Sequence, residues 1–317
     1  MTFAVDATKS DPVPIWEVAI MKISCCWLYA ITKYGYPPSM ENTYRVLKEM
    51  KALGFTSVEL EGVRGDNLME VYGQRQELKK FCDGEGLRVI NFCPVLPNSV
   101  SLNKKVRKES YDHFKRGIEI ANLFKCATIQ GASYSPPLKF RGDSPYKENV
   151  SFNKQFAVEV DPKFKWERQW DAMVESYTFF TKEAKKAKLK FCVEPRVGEL
   201  LSNTDAILRM MDEVGDDHFG AVLDTAHLNA QKEILALSVE KLGKRIFYVH
   251  ASDNDGKVNE HVATGRGTVD WDGIFQGLKK HKFSGYLAID VGMVPDIDAQ
   301  YRESHEFLKA KAAQYGL

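Results

Sequence analysis

Between residues 191 and 290, four short apolar runs each end in an acid or a histidine. The runs are KFCVE ending at Glu194, AVLD ending at Asp224, IFYVH ending at His250 and YLAID ending at Asp290. Their length and their Val, Ile, Leu and Phe content are those of strands buried on both faces. Each is followed by turn-like or helix-starting residues. If the four strands run parallel, their carboxyl ends lie on one side of the sheet, and three carboxylates and one imidazole converge there. An oxygen-rich set with a single nitrogen suits a hard or borderline divalent cation, Mn2+ or Mg2+ rather than a structural zinc. Glu194, Asp224, His250 and Asp290 are therefore the candidate metal ligands.

The rest of the chain alternates strand-like and helix-like segments. A first strand is predicted over about 20–28, then a loop, KYGYPP, in which two prolines forbid helix until Ser39 caps the next segment. ENTYRVLKEMKALGF has helical periodicity and closes at Gly54. TSVELEG is the second strand, and period-two alternation puts Glu59 and Glu61 on one face. A single helix is expected from LMEVY to Gly86, then strand LRVINFC, a helix over 103–124 and strand CATIQG. After strand four comes a polar, aromatic, proline-containing excursion over about 132–165, far longer than an ordinary strand–helix loop. Within it, QFAVEV suits a short strand. An insertion at this end of a strand has the character of a lid or partner-binding element. A lysine-ended amphipathic helix follows, and then the four strands above with their helices, HLNAQKEILALSVEKLG among them.

Eight strand–helix alternations without a composition break imply parallel strands with right-handed crossovers, closed as a (β/α)8 TIM barrel of the α/β class. The competing open doubly wound sheet calls for a Gly-rich turn after strand one, where CCWLYAITKYGY has none. The expected map is an N-terminal tail at 1–18 and one catalytic barrel domain at 19–317, interrupted by the insertion. A length of 317 residues fits one such barrel. A net charge of +1 offers no basic field for nucleic acid, and no apolar stretch approaches the ~18 residues of a membrane span. The first residues lack a basic stretch followed by an apolar core, so no signal peptide is expected. The six cysteines form no CxxC pair, which points to reduced, mostly buried thiols in a cytoplasmic protein.

Around the ligand candidates lie further polar groups. Asp224 is followed by His227 in DTAH, and His250 by Asp253 in HASD; His261 and the run ATGRGTVDW come next. The series EP, DTAH, HxxD, GxGxxDW and a strand-final acid resembles the xylose-isomerase-like barrel superfamily of sugar epimerases, isomerases and inosose dehydratases. The resemblance covers about residue 21 to the end. It implies one divalent metal, Mn2+ with Mg2+ or Co2+ as alternatives, on Glu194, Asp224, His250 and the strand-eight acid. That acid is usually Glu, and Asp290 is one methylene shorter.

More narrowly, the stretch from DPVPIWEV to MENTY, the VELEGVR segment and the insertion SYSPPL…QFAVEVDPKF are similar to the large catalytic subunit of bacterial C-glycoside deglycosidases. That resemblance implies a hetero-oligomer with a small β-sandwich-like subunit and a 3-oxo-C-glycoside of a flavonoid as substrate. C2 deprotonation beside the ketone would then expel the aglycone carbon by β-elimination. The base candidates are Glu61, His227 and His261, and Arg196 is placed to bind a substrate oxygen. Trp27, Tyr29, Tyr34, Tyr36 and Tyr134 are candidates for a flat wall against the aglycone, with Asp253 and Arg266 as further substrate contacts. The alternative function is a metal-dependent ketose 3-epimerase or sugar isomerase, which needs two acid/base groups, such as Glu194 and the strand-eight acid.

Overall fold

A computed structural model describes residues 21–135, 138–145, 150–151 and 153–317 of the chain. The 1–18 tail lies outside the described residues. Eight parallel strands close into a barrel: β1 (Lys22–Cys25), β2 (Ser57–Val63), β3 (Arg88–Val95), β4 (Thr128–Ala132), β5 (Lys190–Glu194), β6 (Phe219–Asp224), β7 (Ile246–Ala251) and β8 (Tyr286–Ile289). Each strand pairs with its neighbours in sequence, and β8 closes on β1 through Lys22↔Tyr286 to Cys25↔Ile289. This is the TIM barrel the alternation predicts.

Period two explains which side chains face inward. Cys192, Val222, Tyr248 and Ala288 form a small cluster inside the barrel, while Phe191, Leu223, Val249 and Leu287 belong to the larger core between strands and helices. Two residues beyond each of the four interior positions stand Glu194, Asp224, His250 and Asp290, on the same inward face and at the carboxyl end. Two register breaks adjust heights between strands. Val58 pairs with Val89 but Glu59 with Asn91, leaving Ile90 as the extra residue; Ala221 pairs with Ile246 but Val222 with Tyr248, leaving Phe247. The second break brings Asp224 level with His250.

The outer layer follows the caps. Ser39, Asn203 and Asp270 each accept a backbone N–H in the first turn of the helices Met40–Ala52, Thr204–Val214 and Trp271–Lys280. The two longest described helices, Lys104–Phe124 and Trp166–Lys186, pack together over the barrel, where Phe114 stacks on Phe180 at 4.0 Å and both meet Phe191. Each such buried ring contributes ~1.5–3 kcal/mol.

Three local expectations differ. Strand one stops at Cys25, and Leu28–Tyr34 is a helix whose side chains Tyr29 and Ala30 pack into the core. The segment after strand two forms two helices, Arg64–Gly73 and Arg75–Gly84, because the chain bends at Gln74, and the one after strand six splits into Thr225–Ala230 and Leu235–Leu242. In the insertion, Val158–Glu159 pairs antiparallel with Lys139–Phe140 as a two-residue ribbon. All six cysteines are free and buried. No helix among the described residues is long and apolar enough to cross a membrane.

Candidate active site

The carboxyl ends of β5 to β8 bring the four candidate ligands together. One donor atom from each of Glu194, Asp224, His250 and Asp290 lies within 4.8 Å of the others, and all four residues are buried. His250 sits in the middle. Its Nδ1 is 2.6 Å from Glu194 Oε1 and 3.8 Å from a carboxylate oxygen of both Asp224 and Asp290. Its Nε2 is 3.0 Å from Glu59 Oε1. Asp224 ends β6 and caps the following helix, Oδ1 accepting the His227 N–H at 2.7 Å. Its other oxygen, Oδ2, is buried with no hydrogen-bond partner among the described residues. An orphaned carboxylate oxygen facing two more carboxylates and an imidazole is what a divalent cation satisfies, so the donor set fits one.

The electrostatics agree. Burial, then the charges of Glu194 and Asp290, push the Asp224 carboxyl well above its usual range. Burial works to raise the Glu194 and Asp290 carboxyls, but His250 together with Arg196 at Glu194, and with His261 at Asp290, holds both well below the carboxylate range. Burial alone lowers an imidazole; Glu59, Glu194 and Asp290 overcome it and raise His250 well above the usual value. Like charges crowded into one buried site destabilise it unless protons or a cation intervene.

The candidate acid/base groups surround this cluster. Glu61, on β2, has an enclosed Oε2 without a partner among the described residues; burial, then Glu59, push its carboxyl up to about 8. His261 Nδ1 is 3.0 Å from Asp290 Oδ2 and 3.1 Å from Ser252 Oγ. Burial pulls that imidazole down, but Asp290 raises it to about 9. The His227 and His261 rings meet edge-on at 4.9 Å. Burial, then His261, hold His227 well below the ordinary imidazole value. Arg196 Nε donates to His227 Nε2 at 3.3 Å and lies 3.5 Å from Glu194 Oε2.

Other expected contacts go elsewhere. Asp253 carries no free lone pair for substrate: its carboxylate accepts from the N–H of Asn254, Gly265 and Val269 and from Trp271 Nε1. The GRG turn wraps this carboxylate so closely that a Cβ on Gly267 would fall 2.2 Å from Asn254 O and Asp253 Oδ1. Arg266 points away, paired with Glu303 at 2.9 Å and 47% exposed on that side chain. Of the five rings expected to form an aromatic wall, Tyr36 is exposed and Tyr34 donates to Glu49 Oε1 at 2.5 Å, while the other three are buried. Tyr29 is fully buried and donates to Asp298, Tyr134 turns its hydroxyl to the Leu96 N–H, and Trp27 is 2% exposed within the core. Trp27 caps the helix Leu28–Tyr34 and Tyr29 lies on its buried face, so these two rings pack inward.

A family model described as Xylose isomerase-like TIM barrel matches residues 47–311. The chain belongs to that family. Among relatives of this xylose isomerase-like protein, the inosose dehydratase of Histophilus somni (strain 129Pt) is 23% identical over 278 residues, covering 81% of this chain and 85% of its own. The barrel of 3-keto-D-glucoside 4-epimerase from E. coli superposes with a TM-score of 0.70 at 19% identity, covering 92% and 99% of the two chains. The IOLI protein, solved with a binding zinc atom, superposes at 0.68 with 16% identity, covering 93% and 99%. The first of these is named a dehydratase and the second an epimerase, and at these identities the solved structures establish the shared barrel.

Two buried acids that sequence reasoning left without a role stand out. Glu59 contacts His250, and alternation along VELEG was the available signal, but it pointed equally at Glu61. Glu199 accepts from Ser133 N, Ser133 Oγ and Tyr134 N, clamping the start of the insertion; nothing local in GELL signals that.

Proposed function

We propose that this xylose isomerase-like protein is a divalent-metal enzyme that moves the proton beside the carbonyl of an oxo-sugar or oxo-cyclitol, in the manner of a sugar epimerase or isomerase. The observation that carries this reading is the cluster of three carboxylates and His250 with the orphaned Asp224 Oδ2. Glu194, Asp224, His250 and Asp290 hold the ion, Mn2+ by the oxygen-rich donor set. A cation bound there supplies Lewis-acid stabilisation of the charge that develops when the proton leaves.

The remaining roles follow from the chain's own groups. Glu61 takes or returns the proton at its unpartnered Oε2. Because Arg196 Nε–H donates to His227 Nε2, the neutral His227 carries its proton on Nδ1, a buried donor without a partner among the described residues. It donates to a substrate oxygen. The names of the relatives, an inosose dehydratase and a 3-keto-D-glucoside 4-epimerase, are consistent with chemistry beside a ring ketone.

One observation favours a second outcome of the same proton removal. Asp290 is one methylene shorter than Glu and its Oδ2 is held by His261 at 3.0 Å, which makes this acid less free to act as the second of two acid/base groups. A single base suits β-elimination from a 3-oxo-C-glycoside, the carbon–carbon lyase reading. That reading brings with it a small β-sandwich-like partner subunit in a heteromer and a cytoplasmic location.

The test is metal analysis of the purified protein, followed by incubation in D2O with a ketohexose and, separately, with a 3-oxo-C-glucoside. One bound divalent ion and deuterium at the carbon beside the carbonyl are expected. Aglycone release selects the lyase outcome, ketohexose turnover the epimerase. A metal-loaded protein that neither exchanges deuterium into either substrate nor releases the aglycone refutes the proposal.

A further inference from the structure

We infer that Glu59 is a positioning residue for the metal centre, holding the His250 ring so that Nε2–H points at Glu59 and the Nδ1 lone pair points at Glu194, Asp224 and Asp290. The inference rests on the metal reading above. His250 Nε2 and Glu59 Oε1 are 3.0 Å apart, and the opposite ring nitrogen faces all three other candidate ligands. A neutral imidazole has one proton, and a ligating nitrogen presents its lone pair, so the proton belongs on the Glu59 side.

Glu59 is itself held. It is 3% exposed, its Oε2 accepts the Trp27 N–H at 3.2 Å, and its Oε1 also accepts Asn91 Nδ2 at 3.3 Å. Asn91 cannot turn over: its Oδ1 accepts from Thr128 Oγ1 at 2.8 Å and its Nδ2 donates to Gln130 Oε1 at 2.8 Å. A buried chain thus runs from β4 through β3 and β2 to His250 on β7. The register break at Ile90 is what sets Asn91 opposite Glu59. Cys26 stands on the same side, its Sγ 4.0 Å from His250 Nε2, and with Glu59 it has the outline of a second cation site. Both Glu59 oxygens already accept hydrogen bonds there, so Glu59 orients the ring and does not bind a second ion.

The experiment compares Mn2+ affinity, by competition with a chelating dye, among wild type, Glu59→Gln, His250→Ala and the double variant. Glu59→Gln is expected to weaken Mn2+ binding about 10–100-fold, with an unchanged circular dichroism spectrum in EDTA. The double variant should bind no more weakly than His250→Ala alone. Wild-type affinity in Glu59→Gln, or full additivity in the double variant, overturns the inference. If Glu59→Gln does not fold, wild-type protein with 15N-labelled histidine, loaded with Zn2+, decides: His250 should show a protonated Nε2 and a ligated Nδ1, and the reverse pattern sinks the idea. Wild type that binds neither ion fails the metal reading itself, an outcome distinct from both.

Discussion

Asp224 does two jobs with one carboxylate: Oδ1 caps a helix, and Oδ2 is left for a cation. Asparagine caps helices as well as aspartate does but is a poor ligand to a hard ion. Asp224→Asn is therefore expected to lose Mn2+ from metal analysis while its metal-free Tm stays equal to wild type or rises, since one of three crowded acids is gone. Glu194→Gln and His250→Ala should likewise lose the metal and keep the fold; either variant with full metal content refutes the ligand set. Glu61 gives a pH signature. Its folded carboxyl titrates near 8 against an ordinary 4.5, so the folded state binds the proton more tightly. Stability of the metal-free protein from this group is complete below 4.5 and is lost as pH rises through about 8, on the order of a few kcal/mol. Glu61→Gln in EDTA should flatten the Tm against pH between 5 and 8.

At the level of elements, loops after the strands are stitched to one another around the barrel mouth. Ser151 in the insertion bridges Val258, Asn259 Oδ1 accepts the Val150 N–H, and His261 bridges Gly292 after β8. On the other side Pro145 lies over Gly198, where a Cβ would meet its ring at 2.5 Å. The insertion thus spans from the loop after β5 to the loop after β7. Removing one satisfied side-chain bond of this kind costs ~1–2 kcal/mol locally. Asn259→Ala should raise the rate of limited proteolysis inside the insertion about 5–30-fold with little change in Tm. The GxGxxDW motif works differently, as a lock on Asp253. Gly267→Ala drives a methyl into backbone that cannot give, and overpacking of this kind costs ~1–3 kcal/mol. The check is a lowered Tm with the metal content preserved.

For the whole molecule, the four candidate ligands stand at the carboxyl ends of four different strands, so an ion bound to them ties half of the barrel together. An ion that binds only the folded state adds ~2.7 kcal/mol at 100 times its Kd. Mn2+ should raise the Tm of the EDTA-treated protein, and Asp224→Asn should abolish the rise.

The barrel and the convergence of Glu194, Asp224, His250 and Asp290 were legible in the sequence by itself. Both depend on short-range features: the period of two that marks inward positions, and the helix that must follow each parallel strand. The tertiary structure alone decided how the neighbouring polar groups divide their work. Glu59 and Glu61 are two residues apart on one strand face, yet one is saturated with hydrogen bonds beside His250 and the other has an oxygen to spare. Asp253 looks as available as Asp224 in HASD and DTAH, until the GRG turn folds back and takes up its carboxylate. Trp27 and Tyr29 were expected to line a loop, and the helix Leu28–Tyr34 turns them into the core. For Glu59 the deciding partners lie on other strands, brought in by closure of the barrel and a one-residue break in register, and for Asp253 they come from 12–18 residues further on. No local pattern encodes a donor that arrives from so far along the chain.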